Sequence, residues 1–155
     1  MPDLTLFAAY LQRWNALPDG EPFATHAGYL LPVRLDGHPR GRPAMIKIAR
    51  HIDEKIGGQV MRWWGGDGAA HVHAYDDAAG VMLMERATGL RHLLNMAMED
   101  EDDDATRIVC RTVAQLHAAR GSPAPGNLLP LARFFASLAP MAQREGGLMA
   151  ECLSL

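Results

Sequence analysis

Apolar residues at Leu4, Phe7, Leu11 and Trp14 recur at steps of three and four, the spacing of one helix face, and Pro18-Asp19-Gly20 closes that pattern with turn chemistry. From Leu30 the period changes. The stretch "LLPVRLDGHPRGRPAMIKIA" has two short apolar runs around a Gly, Pro and Arg linker, which predicts a β-hairpin with Val33 and Ile46 near its two strands. Pro39 and Pro43 keep the linker from being a strand. Residues 53–64 place Ile56, Val60, Trp63 and Trp64 at helical spacing and run into "GGDG", a glycine stop. A second hairpin is predicted in "AAHVHAYDDAAGVMLMERATG", turning at residues 76–80. Short helices follow over Leu90 to Ala97, over Ala105 to Arg120 with a stripe of Val109, Val113, Leu116 and Arg120, and over Leu131 to Arg144 with a bend at Pro140.

At 155 residues with 48% apolar content the chain can bury a sizeable core. Its net charge of −3, with no basic face, argues against nucleic acid or an anionic membrane as a partner and in favour of a small polar ligand. Cys110 and Cys152 are too few for a disulfide framework or a paired-cysteine metal site, which suits a reducing compartment. No export signal and no apolar run of spanning length is visible, so a soluble, cytoplasmic protein is expected. The acidic block "EDEDDD", Glu99 to Asp104, reads as a solvated linker whose charges favour the start of the next helix.

Histidine, tryptophan and serine supply no further site. His71 and His73 share one strand face, but two imidazoles do not make a zinc site, and no metal-ligand spacing accompanies them. His117 reads as a packed, hydrogen-bonded residue at a helix end, and Trp63 and Trp64 as core filling. Ser122, Ser137 and Ser154 sit in no nucleophile motif.

One residue type is out of place. Lys47 lies inside an apolar strand, and an ammonium there must reach water or meet an anion. Glu54, seven residues later, begins the next helix, and the strand from Met82 to Met84 runs straight into Glu85-Arg86-Ala87. A lysine fixed in a small sheet and oriented by a helix glutamate makes a cation for nucleotide phosphates, and a strand leaving that sheet offers backbone groups to a base.

With those residues in place, the chain resembles the aminoglycoside and hydroxyurea antibiotic-resistance kinases, which include streptomycin 6-phosphotransferases. The resemblance rests on "LLPVR", "AMIKIAR", "DEKIGGQVMRWWGGDGAAHVHAYD", "VMLMERATG", "DDDATRIVCRTVAQLHAAR" and "LLPLARFFASLAP", and it covers nearly all of the chain from Leu30 onward. It implies an α+β, protein-kinase-like fold: an amino-terminal lobe over residues 1–85, with a small antiparallel sheet and helices, then a hinge and the first helices of the carboxy-terminal lobe over residues 86–155. It implies ATP and Mg2+ as cofactors. Lys47 would contact the phosphates, Glu54 would pair with Lys47, and Glu85, Arg86 and Ala87 would form the hinge beside adenine. The segment "THAGYLLP", Thr25 to Pro32, occupies the place of the nucleotide-covering turn.

The family places its chemistry in a downstream His-Gly-Asp type loop and in a later magnesium-binding aspartate. Neither motif occurs in the 155 residues, so no catalytic or metal residue is assigned, and the tail "EGGLMAECLSL" reads as a truncation before the catalytic loop. Phosphoryl transfer depends on positioning and metal-assisted charge stabilisation, so this chain alone is expected to be inactive. The implied function is phosphate transfer from ATP to the alcohol hydroxyl of a small molecule such as streptomycin or hydroxyurea. The alternative is a non-catalytic nucleotide-binding or interaction module left by truncation. Phe134, Phe135, Leu138 and Met141 form an apolar face that family members cover with later elements, so self-association is expected.

Overall fold

Alternating apolar positions dictate the two hairpins in the computed structural model of the chain, which describes residues 2–89, 91–147 and 151. The strands are β1 (Leu17–Pro18), β2 (Phe23–Ala24), β3 (Gly28–Arg34), β4 (Pro43–Ala49), β5 (Val72–Asp76) and β6 (Val81–Glu85). They form one antiparallel sheet in the order β1-β3-β4-β6-β5, with β2 also pairing on β3. The first hairpin, β3 with β4, turns through Asp36 and Gly37, both at positive φ. Pro43 is the first residue of β4, a place where a missing N–H is tolerated.

Pro32, by contrast, stands in the middle of β3. It lies where the edge of β3 passes from β2, which ends its pairing at Leu30, to β1, which pairs at Val33 and Arg34. No ladder bond therefore falls on its absent N–H, and its carbonyl accepts from the Asp19 N–H at 2.9 Å.

Side chains alternate across the sheet, so each face has its own lining. On one face Leu31, Val33, Ala44, Ile46, Val81 and Leu83 are buried together with Phe7, which the amino-terminal segment lays over them. That segment is a 3-10 turn (Leu4–Phe7) continuing as α1 (Ala8–Arg13). The 3-10 turn turns Leu4 outward, 43% exposed, so the expected single helical stripe starts at Phe7. Tyr10, Leu11 and Trp14 complete the cover.

The opposite face carries Lys47 and Met82, which are directly opposed in the β4–β6 register. It is crossed by α2 (Ile52–Trp64), which ends at Gly65 in the left-handed conformation that the glycine stop predicted. Two glycines do not break this helix, and Gly58 sits where the helix lies tight against the sheet: a β-carbon there would sit 2.8 Å from Tyr75 Cε2.

After β6, α3 (Leu93–Met98) packs on α4 (Asp102–His117), and Met96 and Ala105 are the buried residues of the two helices. The first turn of α4 holds Asp102, Asp103 and Asp104, so half of the acidic block sits where the helix dipole favours it. On the expected α4 stripe Val109 and Val113 are 46% and 43% exposed, and His117 is exposed rather than packed.

The chain divides into two compact units, residues 1–125 and 126–155. The second contains α5 (Leu131–Phe134) and α6 (Leu138–Glu145). The expected single helix over 131–144 is thus interrupted before Leu138, not at Pro140, which sits in the first turn of α6 where its missing N–H has no intrahelical partner to lose. Phe135 and Met141 are 49% and 40% exposed. Leu90, Cys152, Ser154 and most of the expected tail lie outside the described residues.

Candidate functional site

Lys47 is held by the ladders on both sides, opposite Leu30 on β3 and Met82 on β6. Its Nζ lies 2.6 Å from Glu54 Oε2, and the two side chains are 17% and 33% exposed. The pair is therefore partly withdrawn from water, where a charge-assisted hydrogen bond is stronger than on an open surface. The short spacing is sufficient because α2 starts three residues after β4 ends, bringing Glu54 back over the strand within one turn. A pocket of about 280 Å³ adjoins the pair, lined by Lys47, Glu54, Gly57, Gly58, Met61 and Met82. A larger, solvent-open pocket of about 550 Å³ lies at Asp3, Leu6, Tyr29 and Arg50 and shares no residue with the pair.

The expected covering turn is adjacent. Gly28 opens β3 opposite Ala49, and a β-carbon on it would meet the Ile48 carbonyl oxygen at 2.5 Å and Lys47 Cε at 3.4 Å. Glycine is therefore required by close approach, and it leaves the space above the Lys47 side chain clear. The turn is pinned by the Thr25 N–H donating to the Gly28 carbonyl at 2.8 Å and by the Arg50 N–H donating to the Ala27 carbonyl at 3.3 Å.

Glu85, Arg86 and Ala87 lie further along the same ladder, where Glu85 pairs with Ala44. Lys47 and Ala44 are three residues apart, about 10 Å at the usual strand rise. The Glu85 N–H donates to the His71 carbonyl at 2.8 Å, and the Glu85 carboxylate accepts from the His71 N–H at 3.3 Å. The Arg86 side chain is engaged by Asp19: Nη2 lies 2.5 Å from Asp19 Oδ2, and the side chain is 17% exposed. Arg34 Nε approaches the same carboxylate at 2.8 Å, although its N–H is not aligned for a hydrogen bond. The Arg86 hydrogen bond is the main cause holding the Asp19 carboxyl below its ordinary pKa.

Two arrangements escaped the sequence reading. Asp19, read only as a turn residue, joins two arginines from distant segments, and no local signal marks that role. Asp67, read as part of a glycine stop, is bound by Gln115 and Arg120 about fifty residues away. His71 and His73 do come together, with ring centroids 5.1 Å apart, and burial is the main cause pushing His73 below the usual imidazole pKa. Among the described residues no three carboxylate, imidazole or thiol groups converge on a metal-sized space. No helix among the described residues is long and apolar enough to cross a membrane.

A small antiparallel sheet holding a lysine, a helix glutamate paired to that lysine, and a strand leaving the sheet beside them make this the amino-terminal lobe of a kinase-like α+β fold, followed by helices. Residues 13–154 match the family described as aminoglycoside/hydroxyurea antibiotic resistance kinase, and the chain belongs to it. It is 44% identical over 138 residues to the streptomycin 3''-kinase of Klebsiella pneumoniae, a match covering 89% of this chain and 49% of that protein. It is 30% identical over 125 residues to the streptomycin 6-kinase of Streptomyces griseus, covering 79% of this chain and 38% of that one. A hydroxyurea phosphotransferase of Kitasatospora aureofaciens is 29% identical over 146 residues, 93% of this chain and 41% of that protein. The chain thus spans about half the length of these curated relatives, or less. No solved structure matches it.

Proposed function

We propose that this chain supplies the nucleotide-binding lobe of a phosphotransferase that moves the γ-phosphoryl group of ATP to a hydroxyl of a small antibiotic of the streptomycin or hydroxyurea kind. In that reaction the acceptor oxygen forms a bond to phosphorus and gives up its hydroxyl proton to solvent, the bond from phosphorus to the β-phosphate oxygen breaks, and ADP leaves with the electron pair. The observation that carries the reading is the Lys47–Glu54 pair at 2.6 Å on the sheet face beside the strand that ends at Glu85.

In this reading Lys47 is the fixed cation for the phosphates and Glu54 holds it extended. Gly28 lets the covering turn approach. The backbone of Glu85, Arg86 and Ala87 reads the adenine edge, because the Arg86 side chain is committed to Asp19. Residues 1–85 then act as the lobe, and residues 86–155 as hinge and helical portion. Magnesium, when bound with ATP, would neutralise charge on the phosphates. The reading places the protein in the cytoplasm, with nucleotide and antibiotic as its partners, and makes the exposed Phe135 and Met141 a surface for self-association.

A second reading is a nucleotide-binding module without turnover, since the Lys47–Glu54 pair and the strand ending at Glu85 bear on binding and not on transfer. One experiment separates the two. The chain and Lys47→Ala are titrated with ATP, with and without magnesium, while the thermal midpoint is followed, and streptomycin is then added and its mass read for phosphate. A ligand that binds only the folded state raises the midpoint. A rise in the unsubstituted chain that is absent in Lys47→Ala supports the lysine assignment, and phosphorylated streptomycin decides for transfer over binding alone. Equal midpoints with and without ATP overturn both readings.

A further inference from the structure

The helix that delivers Glu54 is gripped at its other end. Just beyond α2, the Asp67 carboxylate accepts from Arg120 Nη1 at 2.8 Å and from Gln115 Nε2 at 2.5 Å. Arg120 Nη2 also donates to the Asp67 and Gln115 carbonyls, each at 3.2 Å. Its guanidinium lies 5.4 Å from the centre of the Trp63 ring, whose Nε1 donates to the Ser122 carbonyl at 3.0 Å. The Arg120 side chain is only 11% exposed.

This latch differs from the other contacts on the far half of α2. Arg62 pairs with Asp77 at 2.9 Å, but those side chains are 52% and 51% exposed, and open pairs of this kind contribute little. Arg120 instead uses a planar fork that meets several acceptors and stacks on an indole, a geometry that lysine cannot reproduce. In the middle of α2, Gly58 bears on Tyr75 and Met82 with no spare room. The 13-residue helix, about 20 Å long, is thus a lever: Glu54 at one end, a close contact at Gly58, and the latch just past the other end.

We propose that Arg120 is a positioning residue. Through Asp67 it fixes the far end of α2 against the end of α4, and the helix, bearing on Tyr75, holds Glu54 on Lys47. This deepens the phosphotransferase reading and rests on it for its consequence: the end of α4 tunes how firmly Lys47 is presented to nucleotide phosphates.

The sequence makes the test direct, because Lys47 and Lys55 are its two lysines. An ammonium held against a carboxylate is acylated slowly, so brief treatment with an amine-reactive ester followed by peptide mass analysis reads the pair without any nucleotide. The quantity measured is the rate at Lys47 divided by that at Lys55, taken well below each protein's thermal midpoint, where global unfolding, which would itself equalise the two amines, is negligible. Arg120→Ala and Asp67→Asn are both expected to raise this ratio about threefold or more, the lower range of coupling in contacting networks. Glu54→Gln raises it as well, and adding Arg120→Ala to Glu54→Gln raises it no further. A ratio that stays at the unsubstituted value in Arg120→Ala and Asp67→Asn while Glu54→Gln raises it overturns the proposal, as does an additive double substitution. ATP titration of the same proteins is scored separately: no binding by the unsubstituted chain overturns the nucleotide reading, while the labelling ratio still decides the latch.

Discussion

Tyr75 closes over Gly58: a β-carbon on the glycine would lie 2.8 Å from the ring Cε2 and 2.9 Å from the hydroxyl oxygen. The ring cannot swing aside cheaply, since that hydroxyl donates to the Lys55 carbonyl at 2.7 Å. Gly58→Ala would improve helix propensity but overpack this contact, and the second effect is larger, about 1–3 kcal/mol against about 1 kcal/mol. A fall in the thermal midpoint of several degrees is expected. Gly57→Ala, with nothing within 4 Å of its β-carbon, is expected to leave the midpoint unchanged or raise it.

Phe7 is fully buried against Leu31, Val33 and Ile46, and it is the main apolar anchor of the amino-terminal segment. Phe7→Ala is expected to cost about 3–5 kcal/mol. Denaturant melts of the two proteins measure the difference, and a loss below 1 kcal/mol would show that this segment contributes little to the core.

Glu54→Gln retains the shape of the side chain and removes its charge. If Lys47 serves the phosphates, ATP affinity should fall about ten- to a hundredfold in Lys47→Ala, the range for a lost hydrogen bond to a charged group. Glu54→Gln should weaken binding less, because the cation remains. Calorimetric titration gives both constants, and the reverse order would assign the main contact elsewhere.

Asp19, Asp67 and Asp76 all have carboxyls held below their ordinary values: by Arg86 first, by Gln115 first, and by the Ala79 N–H first, respectively. A carboxylate depressed in the folded state contributes stability above its unfolded value, about 3.9, and loses it as pH falls through the folded value. Thermal midpoints should therefore change little from these groups between pH 7 and about pH 5 and decline below about pH 4. Asp76→Asn, which weakens the links to Arg13 and Ala79, should reduce the acid slope.

Asp19→Ala releases Arg86 and Arg34 together. Amide hydrogen exchange over residues 85–88 should speed up several-fold while that of β4 stays constant. Unchanged exchange at Arg86 would mean that the ladder alone holds this segment.

The features that could be read directly are those whose signal is local. Strands β3, β4, β5 and β6 announce themselves by period and by turn residues, α2 by its stripe and by Gly65, and Lys47 by being a charge in an apolar run. Other features depend on distant residues. Strands β1 and β2, two residues each, have no period to detect. The break before Leu138 is marked by no glycine or proline, and Pro140 drew attention to the wrong place. Asp67 and Arg120 lie 53 positions apart, and each alone is an ordinary surface residue type. The outward turn of Leu4 follows from a 3-10 geometry that the same apolar spacing does not distinguish from an α-helix.

Pro32 has one more consequence, which concerns how the sheet finds its alignment. With its N–H missing, the middle of the outer edge of β3 cannot donate, so β2 and β1 are confined to the stretches on either side, Tyr29 and Leu30 for one, Val33 and Arg34 for the other. Two strands of two residues have almost no side-chain pattern to set their register, and a slip by one position would turn each inside out. The proline acts as a spacer that removes the intervening positions from competition, and it denies a passing extended chain the unbroken edge it would need to add itself to the sheet.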